Sequence, residues 1–272
     1  MVTANIARTD DGTIQINFSI PKEDIDKAEV VALTDMAKNV VVAGFRKGKA
    51  PIEKVREKVD SGQLLEKTLG LILPDAYTKA ITDNKIKPII YPKFEIIKQG
   101  EVWEVQAKIA ELPVIELPDY KNIIKKANPA SAKDAPGKQD IVIKVLLETI
   151  KIKIPRIIID DEVNVRLSEL LARTERLGLK LEQYLASVGK NEKIIRDEYE
   201  KQVTDGISLE LILNTIAENE KIKVDEKDVD EALKQSGFKD EHAEHIEQQK
   251  QLIRTVLKRR IALDELTKLS SK

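Results

Sequence analysis

Alternation of apolar and polar residues, the period of a half-buried strand, recurs over several runs in the part of the chain before residue 118. In TIQINFSI it puts Ile14, Ile16, Phe18 and Ile20 on one face. Two β-rich runs, PIIYPKFEIIKQG and EVWEVQAKIAEL, meet at Gln99-Gly100 and predict an antiparallel hairpin. Helical spacing governs between them. One helix starts near Asp24, a short one covers Ile52 to Val59, and a longer one starts at Ser61 and is expected to kink or break at Pro74. This order predicts an α+β domain over residues 1–117. From Gln139 onward the helical period dominates, with helices expected over about 141–150, 160–177, 181–187, 191–219, 225–235 and 240–269 and an extended KIKIP segment after the first, so residues 139–272 are expected to form an all-α domain. Residues 118–138, with their run ANPASAKDAPG, read as a linker, and the whole as a multidomain, elongated molecule.

Composition narrows the function classes. A chain of 272 residues suits two modest domains, and 42% hydrophobic against 34% charged residues excludes disorder for most of it. The formal charge of -1 leaves no whole-molecule field, so electrostatic binding must come from a local patch. Cysteine is absent, which removes disulfides, thiolate nucleophiles and Cys-ligated zinc. Ten aromatic residues are few for walling a small-molecule pocket and point away from an enzyme. The opening MVTANIARTDDG has no signal-peptide core, and no apolar run approaches the roughly 18 residues that would cross a bilayer, so a soluble, cytoplasmic protein without membrane contact is expected.

Catalytic patterns are scarce. His242 and His245, three apart in EHAEH with Glu241 and Glu244, could share a helix face, yet no third ligand at fixed spacing follows, and a solvated helix start explains them. No metal, cofactor or catalytic residue is expected, and no G-x-S-x-G elbow occurs. The segment Gly44-Phe45-Arg46-Lys47-Gly48-Lys49-Ala50-Pro51 differs from a phosphate loop by its glycine spacing and by Ala50 after the lysine. Its glycines allow tight turns, Pro51 fixes the exit, and between them one aromatic and three cations are displayed. From Lys38 to Lys58 seven basic and two acidic residues give +5. An exposed aromatic within such a patch suits RNA or a ribonucleoprotein. The competing reading is a turn whose phenyl ring folds back onto its own core.

GFRKGKAP resembles the G-F-R-x-G-K-x-P ribosome-docking signature of the trigger factor family, bacterial chaperones that meet nascent chains. LLEKTLGLILPDAYTKAITDNKIKPI, EIIKQGEVWEVQAKIAELPVIELPDYKN, IPRIIIDDEV and GLKLEQYLASVGKNEKIIRDEY resemble family segments in order, covering nearly the whole chain. Ala43 departs from the pattern, where the family often has proline. The resemblance implies docking at the ribosomal exit tunnel, on its protein and rRNA, through Phe45, Arg46 and Lys47, with Gly44, Gly48, Lys49 and Pro51 shaping the loop. It implies an ATP-independent chaperone for nascent or unfolded polypeptides, and a homodimer off the ribosome is a further partner to test. A holdase or assembly chaperone that does not use the ribosome, a basic-loop RNA-binding protein, and a prolyl isomerase acting through unrecognised residues stay open as alternatives.

Typical family members insert a prolyl-isomerase domain resembling FK506-binding proteins, of about a hundred residues, between these two parts. Here Lys121 to Thr149 is 29 residues without Phe, Tyr or Trp. Such a stretch cannot wall an apolar pocket that lowers a barrier of about 18–20 kcal/mol, so isomerase activity is not expected. In the helical part, Val163, Leu167, Leu170, Leu171 and Leu177 form one stripe, and Ile194, Ile195, Tyr199, Val203 and Ile207 another. Most of each stripe is expected in helix–helix packing, with the remainder meeting apolar client segments.

Overall fold

The computed structural model describes residues 2–129, 132, 134–238 and 242–269. It divides into one unit reaching Leu112, joined by Pro155–Ile157, and a second comprising Pro113–Ile154 and the chain from Ile158.

The first unit is built on four antiparallel strands, β1 (Thr3–Arg8), β2 (Thr13–Pro21), β3 (Lys93–Lys98) and β4 (Val102–Ala110), in the order β1-β2-β4-β3. The β2–β4 register sets Ile16 opposite Ala107 and Phe18 opposite Val105, so the alternating residues of both strands share one buried face. That face packs on Leu69, Leu73 and Ala80 of α3 (Ser61–Asp83). Full burial of one such Ile or Phe is worth about 1.5–3 kcal/mol. The opposite face is polar, and there Gln106 Nε2 donates to Asn17 Oδ1 at 2.8 Å.

Helix α3 runs unbroken through Pro74. The residue four back, whose carbonyl a proline ring crowds, is Gly70, which has the freedom to tilt. Leu69, Leu73 and Ala80 lie on both sides of Pro74 and hold the two halves to the same core. Helix α1 (Lys22–Ala37) packs beside α3, and the short α2 (Ile52–Arg56) follows the loop that leaves α1.

The second unit corrects the linker. Residues 118–138 include a helix, α4 (Tyr120–Ala127), whose N-cap Asp119 accepts from Asn122 N–H and whose C-cap Asn128 adopts a left-handed φ of 49°. Helix α5 (Ala135–Thr149) begins earlier than its periodicity suggests, because Asp134 caps it and Pro136 is tolerated in a first turn. Three residues of the expected linker, Ala130, Ser131 and Lys133, lie outside the described residues. Tyr120 and Ile124 are buried with Val142 and Leu146 of α5, Ile212 and Ile216 of α8 (Glu192–Asn219), and Ala262 and Leu266 of α10 (Ala243–Thr267). Helices α6 (Arg156–Arg176), α7 (Leu181–Ser187) and α9 (Glu226–Gln235) complete the order. Asp240, where the sequence places the start of the last helix, lies outside the described residues, and α10 runs from Ala243.

One polar clasp fastens α4 to the end of α8. Glu220 accepts from Lys121 Nζ at 2.6 Å and from the Tyr120 hydroxyl at 2.8 Å. These bonds, that of Lys121 first, hold the Glu220 carboxyl below its ordinary 4.5. Burial first, then the bond to Glu220, pushes the Tyr120 phenol up to about 12, so it remains a donor. A carboxyl whose folded value is depressed stabilises the fold above its unfolded value and loses that contribution as pH falls through the folded one. Glu220→Gln should therefore lower stability at pH 7, and the difference from the parent chain should shrink as urea unfolding is repeated from pH 5 to pH 3. A difference independent of pH would contradict an ionised clasp.

Candidate functional site

The loop between α1 and α2 is anchored at both ends before it protrudes. Val42 at its entrance and Val55 beyond its exit are buried with Ala32 and Leu33 of α1 and Leu64 of α3. Val40, Ala50 and Ile52 pack against the same cluster. Between these anchors the chain makes two successive tight turns. Phe45 N–H donates to the Val42 carbonyl at 3.1 Å, and Lys49 N–H donates to the Arg46 carbonyl at 2.9 Å. Gly44 and Gly48 hold the third position of each turn with φ of 84° and 79°, the conformation that a type II turn demands and that glycine adopts without strain. A Cβ on Gly44 would meet nothing within 4 Å, so backbone conformation rather than crowding calls for glycine there.

These turns carry Gly44, Phe45, Arg46, Lys47, Gly48 and Lys49 into solvent, and Pro51 is exposed at the exit. The Phe45 ring is 44% exposed, which decides against its folding back into the core. The cations divide into two groups. Lys38 pairs with Asp35 at 3.0 Å, Lys54 with Glu57 at 2.9 Å and Arg56 with Glu29 at 2.6 Å. Asp35 also accepts from Lys67, and that bond first, then the one from Lys38, holds its carboxyl below the usual value. Arg46, Lys47 and Lys49 make no ion pair among the described residues. The loop thus displays three uncompensated cations around one exposed phenyl group, while three of the four flanking cations are paired within the fold and Lys58 makes no ion pair among the described residues.

In the second unit the structure separates the apolar stripes. Val163 and Val203 are buried with Ile154 and Ile159, and Leu170 and Ile195 are buried with Leu185. Leu167 and Tyr199 are half-buried against both clusters. Side chains so enclosed meet another chain only if the helices part. Leu171 and Ile194 are exposed, as is Leu177. Sequence reasoning missed Val165, Leu179 and Val188, which are exposed too; Leu179 and Val188 sit beside the glycines that end α6 and α7, where a helical stripe gives no signal. His242 and His245 have ring centroids 5.4 Å apart, Glu241 lies outside the described residues, and no group of three potential metal ligands occurs among the described ones.

Family models account for both units. One for the bacterial trigger factor protein matches residues 2–144, and one for its C-terminus matches residues 121–268. The chain belongs to the bacterial trigger factor family. Trigger factor of Lactococcus lactis subsp. cremoris is 32% identical over 124 residues, 45% of this chain and 29% of the relative. That of Clostridium botulinum is 28% identical over 130 residues, 47% of this chain and 30% of the relative. These alignments span under a third of the relatives' own length. A solved structure from work on promiscuous substrate recognition in folding and assembly activities of the trigger factor chaperone shares the fold at a TM-score of 0.58 and 15% identity, covering 97% of this chain and 99% of the other. The two family matches overlap over residues 121–144, and no prolyl-isomerase domain separates them. No helix among the described residues is long and apolar enough to cross a membrane.

The turn geometry makes two stability predictions. Ala43 holds the second position of the first turn, where proline's fixed φ fits, and its N–H makes no backbone hydrogen bond among the described residues; Ala43→Pro should stabilise the first unit by about 0.4–1 kcal/mol in chemical denaturation. Changing Phe45, Arg46 and Lys47 together to alanine should move stability by no more than about 0.5 kcal/mol, because exposed, unpaired side chains contribute little to folding. A large loss in the triple variant would show that the loop is a structural turn.

Proposed function

We propose that this trigger factor docks at the ribosomal exit tunnel through Phe45, Arg46, Lys47 and Lys49 and shields apolar segments of nascent chains in the cytoplasm, without ATP and without isomerase activity. The observation that carries the reading is the contrast in charge pairing. Lys38, Lys54 and Arg56, which flank the loop, are paired within the fold, whereas Arg46, Lys47 and Lys49 at its tip have no ion-pair partner among the described residues and stand beside an exposed aromatic ring. Phosphates of rRNA neutralise such cations with release of counterions, and a phenyl ring fits an apolar pocket or stacks on an unpaired base. Gly44 and Gly48 shape the display, and Pro51 fixes its exit.

Of the two helical stripes, Leu171, Leu177 and Ile194 are the residues placed to hold clients, because they are already exposed. Each buried contact would contribute at most about 1.5–3 kcal/mol, so several weak, distributed contacts hold a chain and still release it. That binding needs no nucleotide.

Cosedimentation with ribosomes tests the docking. Alanine at Phe45, Arg46 and Lys47 should abolish association while suppression of aggregation in free solution persists. For the unaltered chain, affinity should fall with salt with a log–log slope of about -2 to -3, as three phosphate contacts at roughly 0.7–0.9 each require. Retained binding by the triple variant, or loss of both activities together, would contradict the reading, and suppression of aggregation by an unaltered chain that does not cosediment would favour a holdase that does not use the ribosome. In a proline-limited refolding assay the chain should leave the slow phase, tens to hundreds of seconds at 25 °C, unaccelerated.

A further inference from the structure

The sheet of the first unit has two free edges, and they differ. Strand β3 carries Lys93, Glu95 and Lys98, and its register shifts between Ile96 and Lys98. Charge and a bulge are the devices by which edge strands are guarded against further pairing. Strand β1 has no bulge and carries charge only at its last residue. Its sequence TANIAR is uncharged from Thr3 to Ala7, its pairing with β2 is regular, and its one charge, Arg8, is held by Glu111 at 2.8 Å. Every residue of β1 except the half-buried Ile6 is exposed. Beyond the β1–β2 ladder, no backbone group of residues 3–8 makes a backbone hydrogen bond among the described residues. Alternate N–H and C=O groups along this edge therefore face water.

We infer that the open edge of β1 takes up an extended, uncharged segment of an unfolded polypeptide as a fifth strand, a second holding site that rests on the client-binding reading above. The register defines what fits. Ala4 and Ile6 lie opposite Phe18 and Ile16 on the core side, whereas Thr3, Asn5 and Ala7 lie opposite Ser19, Asn17 and Gln15 on the polar side. An added strand continues an apolar rim made by Val2 and Ile6 on one face and a polar surface on the other. It is thus matched to a segment of alternating apolar and polar residues, an unformed strand of a client. The β1 side chains are small, so main-chain hydrogen bonds dominate and the site tolerates many sequences. A neutral edge offers no gain to charged segments.

Size argues against a second copy of this chain as the occupant. A six-residue strand about 20 Å long on a sheet about 10 Å thick offers roughly 200 Å² per partner, against the roughly 800 Å² of a stable protein–protein interface. The same small area suits a chain that must be let go.

The test uses the full chain and a fluorescent peptide with the core Val-Thr-Val-Thr-Val-Thr flanked by two lysines at each end, together with an analogue N-methylated at every core amide. Peptide at saturation should slow hydrogen exchange at the free-edge amides of Thr3–Arg8 at least tenfold and leave β3 unchanged. The N-methylated analogue, with its side chains intact and its donors gone, should bind at least tenfold more weakly. Asn5→Lys with Ala7→Lys, both on the polar face, should weaken peptide binding at least tenfold; should that variant fold poorly, the methylated analogue still decides the matter on the unaltered chain. Unchanged β1 exchange with peptide bound, or equal binding of both peptides, would overturn the inference while aggregation suppression continued to support the client-holding reading. Protection of β1 that rises with protein concentration in the absence of peptide would make a second copy the occupant and overturn it as well. Failure to hold any unfolded protein would sink the broader reading.

Discussion

Everything distinctive about the loop between α1 and α2 depends on a small apolar cluster beneath it. Leu33, Val42, Val55 and Leu64 come from α1, the loop entrance, α2 and α3, and their mutual burial pins both ends of the segment between Val42 and Ala50. Once the ends are fixed, two turns with left-handed glycines leave the intervening side chains nowhere to go but outward. A flexible loop of the same composition could fold its phenyl ring onto the nearest apolar surface and its cations onto the nearest carboxylates. The anchored one cannot, and Asp35, Glu29 and Glu57 are already engaged by other cations.

The sheet supplies the platform for that cluster. Phe18 and the isoleucines of β2, opposed by Val105, Ala107 and Ile109 of β4, bind one side of α3, and α3 presents Leu64 to the loop anchors. A single helix thus serves both cores, Leu64 facing the loop anchors and Leu69 and Leu73 the sheet. The second unit follows a different economy: most of its apolar stripes are consumed in helix packing, and the residues left exposed fall along outer faces and beside the turns between helices.

How much of this was legible in the sequence depended on whether a signal was local. The inward residues of β2 were, because alternation is a property of the strand itself. The loop was, because glycine spacing and a cation count need no tertiary contact. Strand β1 was not: TANIAR lies at an edge, buries only part of Ile6, and so carries no alternation. Helix α4 was hidden because it is eight residues long and runs into a proline- and alanine-rich stretch, although Tyr120 and Ile124 are spaced one turn apart. The pairing of Arg56 with Glu29 joins residues from different helices, so a count of charges could not separate tied cations from free ones. For the same reason a helical stripe could not show that Val163 turns inward while Leu171 stays out. The resemblance to trigger factors started from the local loop motif, extended to segments along nearly the whole chain, and was upheld by family matches across both units.

The central claim is that an anchored, uncompensated cationic loop with a phenyl tip is the point of contact with the ribosome. A photo-crosslinking amino acid placed at position 45, with the chain mixed with ribosomes and irradiated, tests it most directly. Crosslinks should form to large-subunit protein or rRNA at the exit tunnel and should fade as salt is raised. Ribosome binding that persists under the same conditions with no crosslink from position 45, while a probe elsewhere on the chain reacts, would contradict it.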